Sequence, residues 1–301
     1  MAFLVETDGL TKRYGDRTVV DGLDLRIPAG CVYGFLGPNG SGKSTTMKML
    51  LALVSPSAGE ARVFGRPVNR DTRRGLLRDI GSLIESPPGY AHLTGRENMR
   101  IVQRLLDVPQ ANVEDAVRTV RMHDQLDKRV REYSLGMKQR LGIAMALARR
   151  PRLLILDEPT NGLDPAGIEE MRDLLRRLAD DGVTVMVSSH QLGEIDRTAS
   201  VLGILGRGRL LFQGTRAELF SASTPDVVIE CFEPERAASA VPDELAARFV
   251  DGRLVVPALD DMAICRLVDR LVAAGAGVYG VRRTEQSLED LFMDVTAGGG
   301  L

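Results

Sequence analysis

The run Gly37-Pro38-Asn39-Gly40-Ser41-Gly42-Lys43-Ser44 fits the pattern GxxxxGK(S/T), a loop that holds phosphate. Glycines without a Cβ let the backbone wrap onto phosphate oxygens. The N–H groups of the loop and of the helix behind it then face the anion. In this reading Lys43 reaches the β- and γ-phosphates, Ser44 ligates Mg²⁺ and Thr45 adds a hydroxyl near the α-phosphate. A second constellation is Leu153-Leu154-Ile155-Leu156-Asp157-Glu158, an apolar strand ending in two carboxylates. Downstream of a phosphate loop, Asp157 is expected in the Mg²⁺ shell and Glu158 beside the attacking water, as proton acceptor or orienting group. His190 follows another apolar run, 183–188, where it can donate to the γ-phosphate, although a lone histidine is more often structural. A nucleoside triphosphate and Mg²⁺ are the ligands these residues imply.

The elements around them alternate. Strands are expected at 3–7, 19–27 and 31–36, separated by Gly15-Asp16 and Pro28-Ala29-Gly30. A helix over 43–53 follows the phosphate loop, and short strands follow at 60–64 and 80–84. Residues 94–129 read as helical, and 136–150 as a further helix ended by Pro151. Strand 153–156, an amphipathic helix over 165–180, strand 183–188 and a strand pair at 201–205 and 209–212 complete the alternation. This order implies a mainly parallel sheet covered by helices. After about residue 221 the pattern becomes strand 226–231, helix 234–241, strands 246–250 and 253–257, helix 261–274 and strand 277–283. That β-α-β-β-α-β order is similar to a ferredoxin-like split motif. A last amphipathic helix is expected over 287–295.

Three further segments carry a family resemblance. Tyr133-Ser134-Leu135-Gly136-Met137-Lys138-Gln139-Arg140 resembles the signature of ATP-binding cassette (ABC) ATPases, usually written LSGGQ. Asn161-Gly162-Leu163-Asp164-Pro165 resembles that family's D-loop, and Ser188-Ser189-His190 its H-loop. The resemblance covers about residues 3–220, with six motifs in consistent order. It implies a P-loop NTPase cassette of the α/β class, with a RecA-like core, an antiparallel β subdomain and an α-helical subdomain at about 86–150. It divides the chain into a cassette, 1–220, and a small accessory α+β domain, 221–301. It also implies that Tyr14 stacks on adenine and that two cassettes dimerise head to tail. Ser134, Leu135 and Gly136 of one subunit would then contact the ATP held by the other, with the D-loop Asp164 at the same junction. An anion site of that kind agrees with a Ser hydroxyl and backbone amides opening a helix.

The sequence departs from the family pattern in two places. Leu135 and Met137 replace the usual Gly and Gln of the signature, leaving Gln139 nearby. In Ile80-Gly81-Ser82-Leu83-Ile84-Glu85-Ser86-Pro87, Glu85 stands where the family usually has a Gln beside Mg²⁺ and the membrane partner. A carboxylate there either binds Mg²⁺ or raises its own pKa and forms a hydrogen bond instead. With Gln286-Ser287-Leu288-Glu289-Asp290-Leu291-Phe292 near the C-terminus, these variants look like the bacterial subset that exports drugs, bacitracin and lantibiotics. The resemblance therefore implies an ATPase subunit that drives a separate multi-span permease from the cytoplasmic side of the membrane, in efflux or antibiotic resistance. Residues 86–100 would meet that permease. An importer ATPase and a soluble, non-transport ABC ATPase are the alternatives. The single set of motifs and the short span between Gly42 and Gly136 count against the ribosome- and DNA-linked classes.

Composition is consistent with this frame. With 301 residues, 44% of them hydrophobic and 27% charged, the chain can bury a large core and is neither disordered nor fibrous. Lys+Arg 39 against Asp+Glu 41 leaves a net charge of -2, which does not indicate nucleic acid as a partner. Cys31, Cys231 and Cys265 are odd in number and widely separated, which argues against a disulfide framework. Cys231 and Cys265 are expected as buried apolar residues. No run approaches the ~20 apolar residues of a membrane span. Residues 1–9 carry Glu6 and Asp8 and lack the basic and apolar regions of a signal peptide.

Overall fold

The computed structural model describes residues 3–85, 87–190, 193, 198–222, 226–257 and 259–284. Its first strand, β1 (Phe3–Tyr14), extends well beyond the expected 3–7. The expected strand 19–27 is two strands, β2 (Arg17–Leu23) and β3 (Arg26–Pro28), because each pairs with a different half of β1. Thr7 fills the break: its hydroxyl donates to Leu23 O at 2.6 Å and accepts from Leu25 N at 2.8 Å.

β4 (Val32–Leu36) leads into the phosphate loop, and α1 (Lys43–Leu50) leads out of it. β5 (Ala58–Val63) and β6 (Arg66–Pro67) complete an antiparallel sheet of order β2-β1-β5-β6, with β3 also on β1. A short α2 (Arg73–Leu76) precedes β7 (Ile80–Leu83). The expected helical stretch 94–129 divides into α3 (Gly95–Leu106) and α4 (Gln110–Thr119). A capping box of Thr94 and Glu97 starts α3, while left-handed Asp107 ends it and Pro109 caps α4. Short 3₁₀ turns at His123–Gln125 and Val130–Glu132 lead to α5 (Leu135–Leu147).

β8 (Leu153–Leu156), α6 (Pro165–Asp180), β9 (Thr184–Ser189), β10 (Val201–Gly206) and β11 (Arg209–Gly214) follow. The second sheet runs β11-β10-β4-β9-β8-β7, parallel except for the β10–β11 pair. β4, β8 and β9 are buried along their whole length, as continuous apolar strands in a covered parallel sheet should be. Leu156 pairs with Val187 and Leu36 with Ser189. This register brings the carboxyl ends of β4, β8 and β9 to one edge, where ligands bind in open α/β sheets.

Near Arg216 the chain passes through α7 (Arg216–Ala222) into a second compact unit. There β12 (Val227–Cys231), α8 (Pro234–Ala240), β13 (Arg248–Val250), β14 (Arg253–Val256), α9 (Asp261–Ala273) and β15 (Val278–Arg283) form an antiparallel sheet of order β13-β14-β12-β15. That is the strand order of a split βαβ motif. Its core joins Val227, Ile229, Leu254 and Val256 of the sheet to Ala237, Leu267 and Leu271 of the helices. Cys231 is buried there, but Cys265 is exposed, contrary to expectation. α9 turns Leu267 and Leu271 inward, and a residue two positions before Leu267 does not share that face. The expected helix over 287–295 and the Gln286–Phe292 motif lie outside the described residues.

Candidate active site

Gly42 sets the exit from the phosphate loop. It is left-handed at φ 106°, and a Cβ there would lie 2.8 Å from Val19 O. It also N-caps α1 without a side-chain hydrogen bond, and the first turn of α1 has no acidic residue. The opening N–H groups of α1 therefore remain available to an anion. The Ser41 hydroxyl is buried and has no hydrogen-bond partner among the described residues. Such an orphan costs about 1–3 kcal/mol, and a phosphate oxygen would satisfy it. Lys43 Nζ donates to Gly37 O at 2.7 Å and Pro38 O at 3.3 Å, and lies 3.7 Å from Glu158 Oε1. Burial pulls the Lys43 ammonium below the ordinary lysine range, while Glu158 and Asp157 partly restore it. An incoming anion would relieve the same penalty.

The β8–β9 register places Ser188 beside the two carboxylates. Ser188 Oγ donates to Asp157 Oδ1 at 2.5 Å and accepts from Glu158 N at 2.9 Å. Glu158 is left-handed at φ 48°, unusual for a residue with a Cβ. Its Oε2 lies 3.0 Å from His190 Nδ1 and 3.5 Å from Asn161 Nδ2. A carboxylate only accepts, so in this pair Nδ1 carries the hydrogen. Asp157 and the Ser44 hydroxyl offer the hard oxygen donors that suit Mg²⁺. Among the described residues no group of three or more His, Cys, Asp or Glu could hold a metal by itself.

Glu85 is also left-handed, at φ 72°, and its Oε1 lies 2.5 Å from Lys48 Nζ. The hydrogen bond from Lys48 holds the Glu85 carboxyl below the usual carboxylate range, and the same bond raises Lys48. The structure thus gives this carboxylate a partner on α1. Tyr14 ends β1 with half its surface exposed, and the Lys12 ammonium lies 4.9 Å from its ring centroid.

Ser134, Leu135 and Gly136 lie elsewhere. They line a recess of about 610 Å³ together with Gly162, Leu163 and Asp164. Ser134 N-caps α5, accepting from Met137 N at 3.3 Å, and the first turn of α5 carries no acid. Asp164 N-caps α6, accepting from Gly167 N at 3.0 Å. A Cβ on Gly136 would meet only Leu163 Cδ2 at 3.6 Å, an ordinary contact.

With this geometry in place, comparison with known proteins decides the family. The ABC transporter family model matches residues 20–161. The bacitracin transport ATP-binding protein BcrA of Enterococcus faecalis is 37% identical, over 100% of this chain and 99% of its own. The lantibiotic transport ATP-binding protein SrtF of Streptococcus pyogenes is 43% identical, over 70% of this chain and 90% of its own. A solved ATP-binding subunit of an ABC transporter matches with a TM-score of 0.66 at 28% identity, over 73% of this chain and 92% of the other. The chain belongs to the ABC transporter ATP-binding family. It is an ATPase.

Within this ABC cassette, the sequence pointed to Lys43, Asp157, Glu158 and His190, and the structure brings them together. The signature residues open into a different recess of the same unit. Two side chains were not singled out by sequence: Lys48, which holds Glu85, and Ser188, which had been read only as part of the H-loop run. Their signals were weak. Lys48 lies one helical turn beyond Ser44 on α1, and Ser188 continues the β8–β9 register one step beyond Leu156 and Val187.

Proposed function

We propose that this chain is the ATP-hydrolysing subunit of a bacterial exporter for a drug or peptide antibiotic, working as a homodimer on a separate permease at the cytoplasmic face of the membrane. The observation that carries the site assignment is the meeting of Lys43, Asp157, Glu158 and His190 at the carboxyl ends of β4, β8 and β9, away from Ser134 and Gly136. In this reading residues 37–45 cradle the phosphates, and Tyr14 offers its ring to adenine. Ser44 and Asp157 hold Mg²⁺, which neutralises phosphate charge. Glu158 orients the attacking water and takes its proton, and His190 steadies Glu158 through Nδ1. Glu85 stays with Lys48 and acts near the metal only through that pair.

In this reading the signature recess takes its ligand from outside its own subunit. Gly136 is not demanded by the packing around it, which supports close approach by another molecule. A second cassette presenting its phosphate loop supplies one. For the permease, the 86–100 segment offers Tyr90 exposed, and α3 continues that surface with Ile101 and Leu105 exposed. Buried Asn98 fixes that approach through Tyr90 N at 2.8 Å and Tyr90 O at 3.2 Å. No helix among the described residues is long and apolar enough to cross a membrane, so the span belongs to the partner in this assignment. Residues 1–220 carry the chemistry, and 221–301 form the accessory domain. The bacitracin and lantibiotic transport relatives support the cargo class.

The test is Glu158→Gln with ATP. It should bind nucleotide, fail to turn over and elute as a dimer in size-exclusion chromatography. A monomer at saturating ATP would overturn the head-to-tail arrangement. For cargo, co-expression with its permease should lower cellular accumulation of a peptide antibiotic or drug. Unchanged accumulation across both classes would remove the export assignment.

A further inference from the structure

Ser188 sits in β9, which is buried along its whole length, directly after the apolar core residues Val185, Met186 and Val187. A hydroxyl in such a place needs partners. Ser188 has two, and both belong to the acidic pair that ends β8. Its one hydrogen goes to Asp157 Oδ1 at 2.5 Å, and its lone pair takes the Glu158 N–H at 2.9 Å.

Each bond has a geometric consequence. The first fixes the rotation of the Asp157 carboxylate by occupying Oδ1 and leaves Oδ2 for another ligand. The second anchors a backbone turn that is sparsely populated for a residue with a Cβ, Glu158 at φ 48°. That turn aims the Glu158 side chain at Lys43 and His190 rather than along the strand. One hydroxyl therefore orients both acidic side chains.

We propose that Ser188 is a positioning residue for ATP hydrolysis, holding the Asp157 carboxylate in the rotamer that accepts Mg²⁺ and the Glu158 backbone in the turn that presents its carboxylate to the nucleotide. The proposal rests on the site assigned in the preceding subsection. Ser188 acts through its neighbours, so its loss should appear in metal affinity before it appears in nucleotide affinity. Partners one step removed from a metal are typically worth about 10–100-fold in metal affinity or activity.

Three variants test this. Ser188→Ala removes the hydroxyl. Ser188→Cys keeps the size with a weak donor, and Ser188→Thr keeps the hydroxyl. Mn²⁺ affinity is read by electron paramagnetic resonance on the protein loaded with a non-hydrolysable ATP analogue. Binding of the same analogue in EDTA is read by fluorescence, and turnover is followed against Mg²⁺ concentration. In the Ala and Cys variants we expect Mn²⁺ affinity to fall about tenfold or more and the Mg²⁺ requirement to rise in parallel. Analogue binding in EDTA should stay within about twofold, since phosphate affinity comes from the loop and Lys43. Ser188→Thr should restore metal affinity. If Ser188→Ala unfolds, the near-isosteric Cys variant carries the comparison with Thr. Unchanged Mn²⁺ affinity in the Ala and Cys variants would overturn the proposal. So would an equal loss of metal and metal-free nucleotide binding, which marks a purely structural role. Failure of the unmodified protein to bind the analogue either in Mn²⁺ or in EDTA would instead overturn the site assignment beneath it.

Discussion

Glu158 and Glu85 are made from the same parts. Each follows the end of a strand in the parallel sheet, β8 or its neighbour β7. Each has a left-handed backbone, at φ 48° and 72°, and each faces a lysine of α1, Lys43 or Lys48. Their surroundings differ. The Glu158 side chain is 23% exposed and lies 3.7 Å from a buried lysine whose charge burial disfavours. The Glu85 side chain is 68% exposed and lies 2.5 Å from a lysine that the contact raises. The shorter pair is the less consequential one, because water screens it and solvates both ends. The longer pair includes a lysine whose charge burial disfavours, so a ligand carrying phosphate changes its energy most.

Removing the carboxylate of the buried pair should have the largest effect. Glu158→Gln keeps the shape and loses the base, and turnover should fall about 10²–10⁴-fold in steady-state phosphate release. Hydrolysis within a few-fold of the unmodified protein would assign the base elsewhere and erase the distinction between the two glutamates. Removing the lysine of the same pair comes next. Lys43→Ala deletes a charged donor to phosphate, and ATP affinity should weaken about 10–100-fold by calorimetry. Unchanged affinity would mean that Gly37–Ser44 is an ordinary turn.

The residues that made Glu158 legible in the sequence did not serve Glu85. The Gly-rich loop and the apolar run before Asp157 are local patterns that reinforce each other, and the structure has both between the expected elements. Glu85 was placed by analogy with a glutamine, and no local pattern announces an ion pair to a residue 37 positions earlier. Ser188 was hidden for a similar reason: strand register decides its partners, and β9 pairs β8 across 31 positions of sequence. The merged strand at 19–27 failed because alternation alone does not reveal that two halves choose different partners on β1. The helical stretch 94–129 did carry its own break, in Pro109 after left-handed Asp107. The exposed face of α9 was misread at Cys265 because cysteine is buried more often than not, and residue type outweighed helical phase.

The smallest effect should come from Glu85→Gln. Gln keeps the size and one carbonyl acceptor for Lys48 and removes only the charge. Analogue affinity of the isolated subunit should stay within about twofold and its Mg²⁺ dependence nearly unchanged, as for a solvated surface pair. The pH dependence follows from the directions of the two shifts. Glu85 is lowered, so its contribution is present above the ordinary carboxylate range and is lost only as pH falls through the lowered value. Lys48 is raised, so the pair persists until pH exceeds the ordinary lysine range. From about pH 6 to 9 both groups stay charged, and the difference between variant and unmodified protein should be constant. In complex with the permease the same substitution should do more, because the 86–100 segment proposed to meet the partner begins at the next residue. A typical coupling between two sites changes one equilibrium about 5–150-fold through the other, and cargo-stimulated ATPase should shift toward the low end of that range. The deciding measurement is turnover against Mg²⁺ for both proteins, alone and in the complex. Curves that superimpose in the complex would leave Glu85 a surface tether and nothing more. A large shift in the isolated subunit would place its carboxylate at the metal and make the two glutamates alike.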